Sequence, residues 1–309
     1  MNVFGVLVAY QPYVPSLIEN LAIILPQVDW LLVINNGKDA LDEIMHSPRI
    51  KQWSHWQLWQ SPTNDGISRA YNRGVQEAIR KNSQYVIFFD QDSRIDPAMV
   101  QVLIADHVDL RNDGIAVAGV GPWYQHSMTK ERAHVYIMVS SYRKKYHDYE
   151  KSPNSTEEVS FLISSGTLFS MEAIKTVGKM DENLFVDHVD TDWFIRAGKI
   201  GYQSFVSRNT TMFHCLGSSS FRPPFLKKTI AIHNANRYRE NFKNTIYLYK
   251  KHSDQLGWII SDLVRFWGLL AIHLLRLDFP SILQSMIGTV EGLRMSTQTK
   301  PVEWNNDSR

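Results

Sequence analysis

The 309-residue chain is 44% hydrophobic, enough to bury a sizeable core, and its formal charge of +2 excludes the basic footprint of a nucleic-acid-binding protein. A single cysteine, Cys215, excludes an intrachain disulfide framework and suits a reducing compartment. The chain enters strand pattern at once, with no basic segment ahead of a long apolar core, so no secretory signal is expected.

Residues 3–10 form a continuous apolar run of strand length, halted by Gln11-Pro12. Residues 15–25 carry helical spacing through Leu17, Ile18, Leu21, Ile24 and Leu25. A second buried strand over 30–34 closes on the turn signal Asn35-Asn36-Gly37. A short helix over 41–45 and a strand over 56–60 follow, then a polar loop over 61–66 and a helix over 67–81. Residues 85–89 read as a strand buried on both faces, ending in Asp90-Gln91-Asp92-Ser93. Such alternation predicts βαβ units and an α/β fold with a doubly wound, mostly parallel, Rossmann-like sheet.

A helix over 97–110 and a strand over 115–120 continue the pattern. Residues 124–153 are a polar excursion rich in Lys, His and Tyr, with a strand over 135–140 inside it. A strand over 159–163 then runs into Ser164-Ser165-Gly166-Thr167, followed by helices over 171–177 and 190–199 and short strands over 203–206 and 211–213. From residue 231 the β-rich texture stops, and helices are expected over 234–251, 255–277 and 280–295. The expected division is an α/β domain over 1–230, in two halves meeting at about 120, and a helical region over 231–309 that touches membrane or a second subunit.

In an open α/β sheet ligands bind outside the carboxyl ends of the strands. The loops expected there offer the Tyr10 ring, the Asn36 amide, the turn Asn64-Asp65-Gly66 and the pair Asp90 and Asp92. Each alone is an ordinary turn; together they describe a cleft for a nucleoside diphosphate. Carboxylates one residue apart suit a divalent cation that shares phosphate oxygens. A second cluster, Asp187, Asp190 and Asp192, places three carboxylates ahead of and within the start of a helix, more than capping needs. A carboxylate there is a candidate general base. For Arg196, six residues beyond Asp190, a structural ion pair is the stronger expectation over catalysis. His214 follows a short strand, where a satisfied structural histidine is the commoner role than a metal ligand.

The ordered motifs resemble those of the family 2, GT-A-fold inverting glycosyltransferases, most closely their bacterial rhamnosyltransferase branch. The matching segments are 6–10, 33–37, 64–74, 88–93, 163–166, 184–196 and 214–217, with Asp90-Gln91-Asp92-Ser93 and the Asp-x-x-Asp-x-Asp-Trp run at 187–193 the most distinctive. The resemblance implies that Tyr10, Asn36, Asn64, Gly66, Asp90 and Gln91 bind the nucleotide sugar, with Asp90 against the ribose or diphosphate. It implies Mg²⁺ or Mn²⁺ on Asp92 with His214 as a further ligand, Asp190 as base, and Asp187, Asp192 and Arg196 in support. Ser165 and Gly166 fall on the acceptor side. The chain departs from the family pattern at Asn36, where relatives carry aspartate, at Val189, and at Lys243-Asn244.

The expected reaction moves a sugar, L-rhamnose from dTDP-rhamnose, to a glycan or lipid-linked acceptor in surface polysaccharide synthesis, at the cytoplasmic face of the inner membrane. Alternatives are the same fold with a UDP-sugar donor and a non-catalytic nucleotide-sugar-binding scaffold. Residues 256–277 carry too many charges for a spanning helix and suit one lying in the bilayer interface, or packed on the domain or a second copy. Lys227, Lys228, Arg237, Arg239, Lys243, Lys250 and Lys251 are basic groups expected to meet anionic headgroups.

Overall fold

Strand and helix alternate as the periodicities dictate: β1 (Val3–Ala9), α1 (Val14–Ile24), β2 (Trp30–Asn35), α2 (Asp42–His46), α3 (Pro48–Lys51), β3 (Trp56–Gln60), α4 (Gly66–Arg80) and β4 (Tyr85–Asp90). The computed structural model describes residues 2–126, 132, 135–140, 143–151, 154–214, 219–221, 230–297 and 304. These four strands run parallel in the order β3-β2-β1-β4. Val8 lies opposite Asp90, Ala9 opposite Asn35 and Asn35 opposite Gln60, so the four carboxyl ends stand level along one edge. Period-two alternation divides the strands between two cores. Phe4, Val6, Val86 and Phe88 face one, and Val3, Leu7, Ile87 and Phe89 face the other.

The chain continues through β5 (Arg94–Ile95), α5 (Met99–Asn112), β6 (Val117–His126), the pair β7 (Val135–Ser140) and β8 (Arg143–His147), β9 (Thr156–Val159) and β10 (Leu168–Ser170). It then forms α6 (Met171–Val177), α7 (Val189–Lys199), β11 (Gln203–His214), the pair β12 (Ser219–Phe221) and β13 (Ile230–Ile232), and helices α8 (Ala235–Lys251), α9 (Leu256–Leu275) and α10 (Phe279–Arg294). The sheet extends as β4-β10-β6-β11-β5, with β10 antiparallel to both neighbours. Its first half is parallel and its second mixed.

Three expectations need correction. The strand over 159–163 is displaced: β9 ends at Val159, and Phe161, Leu162 and Ile163 instead wall a cavity. A short apolar run does not distinguish these two fates. The strands expected over 203–206 and 211–213 are one strand, β11, irregular between Ser207 and Thr211. Its polar middle is held by Asp106, which accepts from Asn209 Nδ2 at 2.8 Å, and by Asp96, which accepts from Thr211 N at 3.2 Å. Finally, the basic residues of α8 are engaged by partners within the protein. Arg237 pairs with Asp187, Arg239 with Glu291, Lys243 with Glu240, and Lys251 with Asp181 and Asp192. Lys250 donates to the Leu293 and Met295 carbonyls at 2.6 and 2.7 Å, closing the end of α10. Lys227 and Lys228 lie outside the described residues.

Candidate active site

The loops after β1, β2 and β3 enclose a cleft of about 600 Å³ whose walls include Tyr10, Asn36, Lys38 and Asn64. Tyr10 is 49% exposed, leaving its ring open to the cleft side. An amide relay fixes the second loop: Asn35 Nδ2 donates to Gln60 Oε1 at 2.7 Å, Gly37 N to Asn35 Oδ1 at 3.0 Å, and Gln60 Nε2 to the Gly37 carbonyl at 2.7 Å. Asn36 is buried and spends one N–H on the Gly66 carbonyl at 3.0 Å, while its Oδ1 has no protein partner. That oxygen keeps unused acceptor capacity. The relay through Asn35 and Gln60 went unforeseen, because amides at strand ends carry no periodic signal.

Gln91 does not line the cleft. Its Oε1 accepts from Tyr10 N at 2.7 Å and its Nε2 donates to the Tyr10 carbonyl at 3.2 Å, prolonging the β1–β4 ladder through a side chain. Asn20 Nδ2 holds the Gln91 carbonyl at 2.7 Å. The turn that presents Asp92, an exposed carboxylate, is therefore pinned from two sides. Gly66 serves the other half of the molecule. Its φ of +79° and the 2.4 Å between an added Cβ and the Phe185 carbonyl require glycine, and Ile67 N donates to that carbonyl at 2.8 Å. The nucleotide-side loop is thereby joined to the segment that leads into α7.

A neighbouring cavity of about 260 Å³ brings Asp90 and Asp190 onto one wall system, together with Asp187, Arg237, Tyr71 and Tyr124. Gly166, with φ of +75°, lets the Ser164–Thr167 turn fold back so that its N–H bonds the Phe88 carbonyl at 2.8 Å. Ser165, itself buried, accepts from Asp90 N at 3.1 Å. Ser164 N reaches Asp190 Oδ2 at 3.3 Å. Asp190 opens the first turn of α7, where Thr191 N also donates to Oδ1 at 2.8 Å. Burial outweighs these two bonds and, with the nearby Asp187 charge, pushes the Asp190 carboxyl up to about 6. Such a group is ionised at neutral pH yet basic enough to take a proton.

The two residues before Val189 are strained. Asp187 and His188 both have left-handed backbones, at φ of 58° and 62°, without being glycine. Side chains of the helical region hold them there. Arg237 forks onto Asp187 at 2.8 and 2.6 Å, Asn244 Nδ2 donates to the Val186 carbonyl, and Thr245 Oγ1 lies 2.9 Å from His188 Nε2. Burial raises the Asp187 carboxyl, but the guanidinium of Arg237 keeps it below its ordinary value. Burial and Arg265 bring His188 down to about 4, so it is a neutral imidazole.

Asp192 and Arg196 are not at the cavity. Asp192 is fully buried and bonded to Arg196, Lys251 and His252 at 2.9, 2.8 and 2.9 Å, and these partners overcome burial to hold it well below the usual carboxylate range. Arg196 also donates to the carbonyls of Val177 and Lys179 at 2.8 and 2.7 Å, tying α7 to the end of α6. Of the residues expected to coordinate metal, the backbone of His214 ends β11, but its side chain lies outside the described residues, as do Cys215 and Gly217. Among the described residues no three His, Cys, Asp or Glu side chains cluster as a metal cage. A cation that keeps a diphosphate's oxygens needs one or two carboxylates, which Asp90 and Asp92 supply in type. A further cavity of about 220 Å³ continues past Asp190 between Tyr124, Phe161, Trp258 and Asp262. Its α9 residues were missed, since contacts over such separations leave no local trace. The cavity of about 570 Å³ beside Tyr85 and His107 sits at the opposite end of β4 and contains none of these groups.

Comparison with known proteins gives a consistent result. The sequence model described as glycosyl transferase family 2 matches residues 8–178. The dTDP-rhamnosyl transferase RfbF of Shigella flexneri is 29% identical over 272 residues, covering 85% of each chain. Among solved structures, GalNAc-T7 with UDP, GalNAc and Mn²⁺ superposes with a TM-score of 0.57 at 10% identity, over 81% of this chain and 48% of that one, so this chain spans about half its length. Staphylococcus aureus TarS residues 1–349, in complex with UDP-GlcNAc, gives 0.51 at 13% identity, over 84% of this chain and 72% of that one. At these identities the superpositions speak for the α/β fold alone, whereas the sequence match covers more than half of the chain. The chain belongs to glycosyl transferase family 2.

Proposed function

We propose that the chain moves L-rhamnose from dTDP-rhamnose to a hydroxyl group of a lipid-linked glycan, with inversion, at the cytoplasmic face of the inner membrane. The observation that carries the reading is the shared cavity: Asp90, at the end of the strand bordering the nucleotide cleft, and Asp190, with its raised proton affinity, wall the same space. A sugar lying between them has its diphosphate toward the sheet edge and its opposite face toward the base. The likeness to RfbF supports the donor. Asn36, whose unpartnered Oδ1 matches the N3–H of a pyrimidine base, suits a thymidine and a uridine diphosphate alike.

In this mechanism the acceptor oxygen gives its proton to Asp190 and attacks the anomeric carbon as the bond to the diphosphate breaks. One displacement inverts the configuration, and dTDP leaves without an enzyme nucleophile. Asp92, with Asp90 beside it and His214 as a further ligand, is the place for a divalent cation, which when bound neutralises charge growing on the departing diphosphate. Ser165 and Gly166 belong to the turn that walls this cavity next to Asp90, the side from which the acceptor approaches. Release of nucleotide from a panel of donors, with and without chelator, tests the assignment. Turnover with dTDP-rhamnose that stops with EDTA and returns with Mg²⁺ or Mn²⁺ supports it; turnover with UDP-sugars and none with dTDP-rhamnose overturns the donor.

A further inference from the structure

The last two helices both turn an apolar stripe outward. In α10 the buried residues are Ser281, Ser285, Gly288 and Gly292, while Phe279, Leu283, Met286, Val290 and Leu293 are 46–66% exposed. Their spacing of four and three residues makes one continuous stripe. In α9, Asp262, Arg265 and His273 turn inward: Arg265 bonds Asp262 and Thr245, and His273 packs on Tyr238 with rings 4.2 Å apart. Its outward stripe is Leu256, Ile260, Val264, Trp267 and Leu274, between 48% and 74% exposed. Apart from Arg276, every exposed side chain from Leu256 to Leu293 is apolar. Monomeric soluble proteins seldom leave more than a few hundred Å² of contiguous apolar surface, and these two stripes together expose on the order of 1,000 Å².

We infer that the outer faces of α9 and α10 form one surface that docks on a lipid bilayer, with the cavity beside Asp190 held one helix width above it. Two features favour lipid over a protein partner. A protein interface of this size carries about one hydrogen bond per 100–200 Å² and a polar rim, yet this face offers no exposed polar side chain between its ends. Two exposed basic residues flank the face, Arg276 in the turn after α9 and Arg294 at the last position of α10, as anionic headgroups require. The acidic group beside Leu256, Asp254, is already bonded to Lys199 at 2.7 Å. Although α9 is long and apolar enough to cross a membrane, its Asp262–Arg265 side is bonded into the domain, so it lies along the interface instead. The opposite side of the same helix supplies Trp258 and Asp262 to the cavity past Asp190. A bilayer under α9 thus brings a lipid-anchored acceptor beside the base. This consequence rests on the proposed acceptor; the docking itself does not.

The test is co-sedimentation of the full chain with vesicles of phosphatidylcholine alone and of phosphatidylcholine with phosphatidylglycerol, read without donor or acceptor. Wild type should bind the anionic vesicles at least about tenfold better than the triple variant Val264→Glu, Trp267→Glu, Met286→Glu, since each lost insertion removes apolar burial. Circular dichroism and donor hydrolysis in detergent-free buffer should be unchanged in the variant, because these side chains face outward. Equal vesicle binding by both proteins overturns the inference. So does a wild-type dimer in analytical ultracentrifugation that the variant converts to monomer while neither binds vesicles, which would assign the face to a second copy. A wrong donor silences hydrolysis but leaves the vesicle result standing.

Discussion

The rim formed by β1 to β4 and the wall formed around α7 border neighbouring cavities, meet in one of them through Asp90 and Asp190, and are built by different routes. On the rim, each functional residue is the last residue of a parallel strand or lies just past it. Its position follows from the register, as Val8 opposite Asp90 and Ala9 opposite Asn35 show. On the α7 side, the backbone that leads to Asp190 is strained and is held by residues far along the chain. Arg237 lies 50 residues from Asp187, and Thr245 and Arg265 lie 57 and 77 from His188. The helical region therefore holds the backbone that carries Asp190, the proposed base.

Replacing the proposed base should give the largest effect and separate chemistry from folding. Asp190→Asn should lower kcat by roughly 10²–10⁴-fold while donor affinity, measured by calorimetry, stays near wild type. The stability effect has the opposite sign. Asp190 has a folded pKa near 6 against 3.8 for the free group, so its ionised form costs native stability above pH 6, and the cost fades as pH falls through that value. Asn keeps an oxygen for Thr191 N and forgoes the longer Ser164 bond. The variant should then be more stable by about 1–2 kcal/mol at pH 7.5, with the gain vanishing near pH 4. A destabilised, fully active variant would remove Asp190 from the chemistry.

Asp192 is the internal control, two residues on and chemically identical. Asp192→Asn leaves Lys251, Arg196 and His252 short of a buried counter-charge, a loss of about 3–5 kcal/mol by denaturant unfolding. The folded pKa of Asp192 is depressed, so its contribution is present at neutral pH and drains away as pH falls below the ordinary carboxylate value. Turnover per folded molecule should stay within a few-fold of wild type. At the rim, Asp92→Ala should weaken metal-dependent donor binding by at least about tenfold and leave metal-free binding unchanged.

What could be read from the sequence follows the same division. The strand-end placement of Asp90, Asp92, Asn36 and Asn64 was legible because a buried apolar run followed by polar turn residues marks the carboxyl end of a parallel strand. The cluster of Asp187, Asp190 and Asp192 stood out by excess, three acids where capping needs fewer, and only the family resemblance pointed to Asp190 among them. Which of the three faces the cavity was not legible, since it depends on Arg237 claiming Asp187 and on Lys251 and His252 claiming Asp192. The basic residues of α8 misled for the same reason: a helix rich in Lys and Arg looks solvent-facing until its carboxylate partners are known. Gln91 lay in the right motif but binds the Tyr10 backbone, a role that motif position alone does not reveal.

The smallest effect is the sharpest test of whether α8 tunes the base. The Asp187 charge raises the proton affinity of Asp190, and Arg237 offsets it by pairing with Asp187. Asp187→Asn removes that negative charge and leaves the guanidinium facing the cavity, so both changes favour ionised Asp190. The acidic limb of the pH dependence of kcat/KM should move to lower pH, by less than about one unit for charges in a partly solvated cavity. Arg237→Ala does the reverse: Asp187 keeps its charge without a partner, Asp190 holds its proton more tightly, and the limb should move to higher pH. Opposite displacements of the two profiles, with the alkaline limb unmoved, are the signature of electrostatic tuning. If both variants shift the limb the same way, the pair acts only by holding the left-handed backbone of Asp187 and His188, and the proton affinity of the base is set by burial alone.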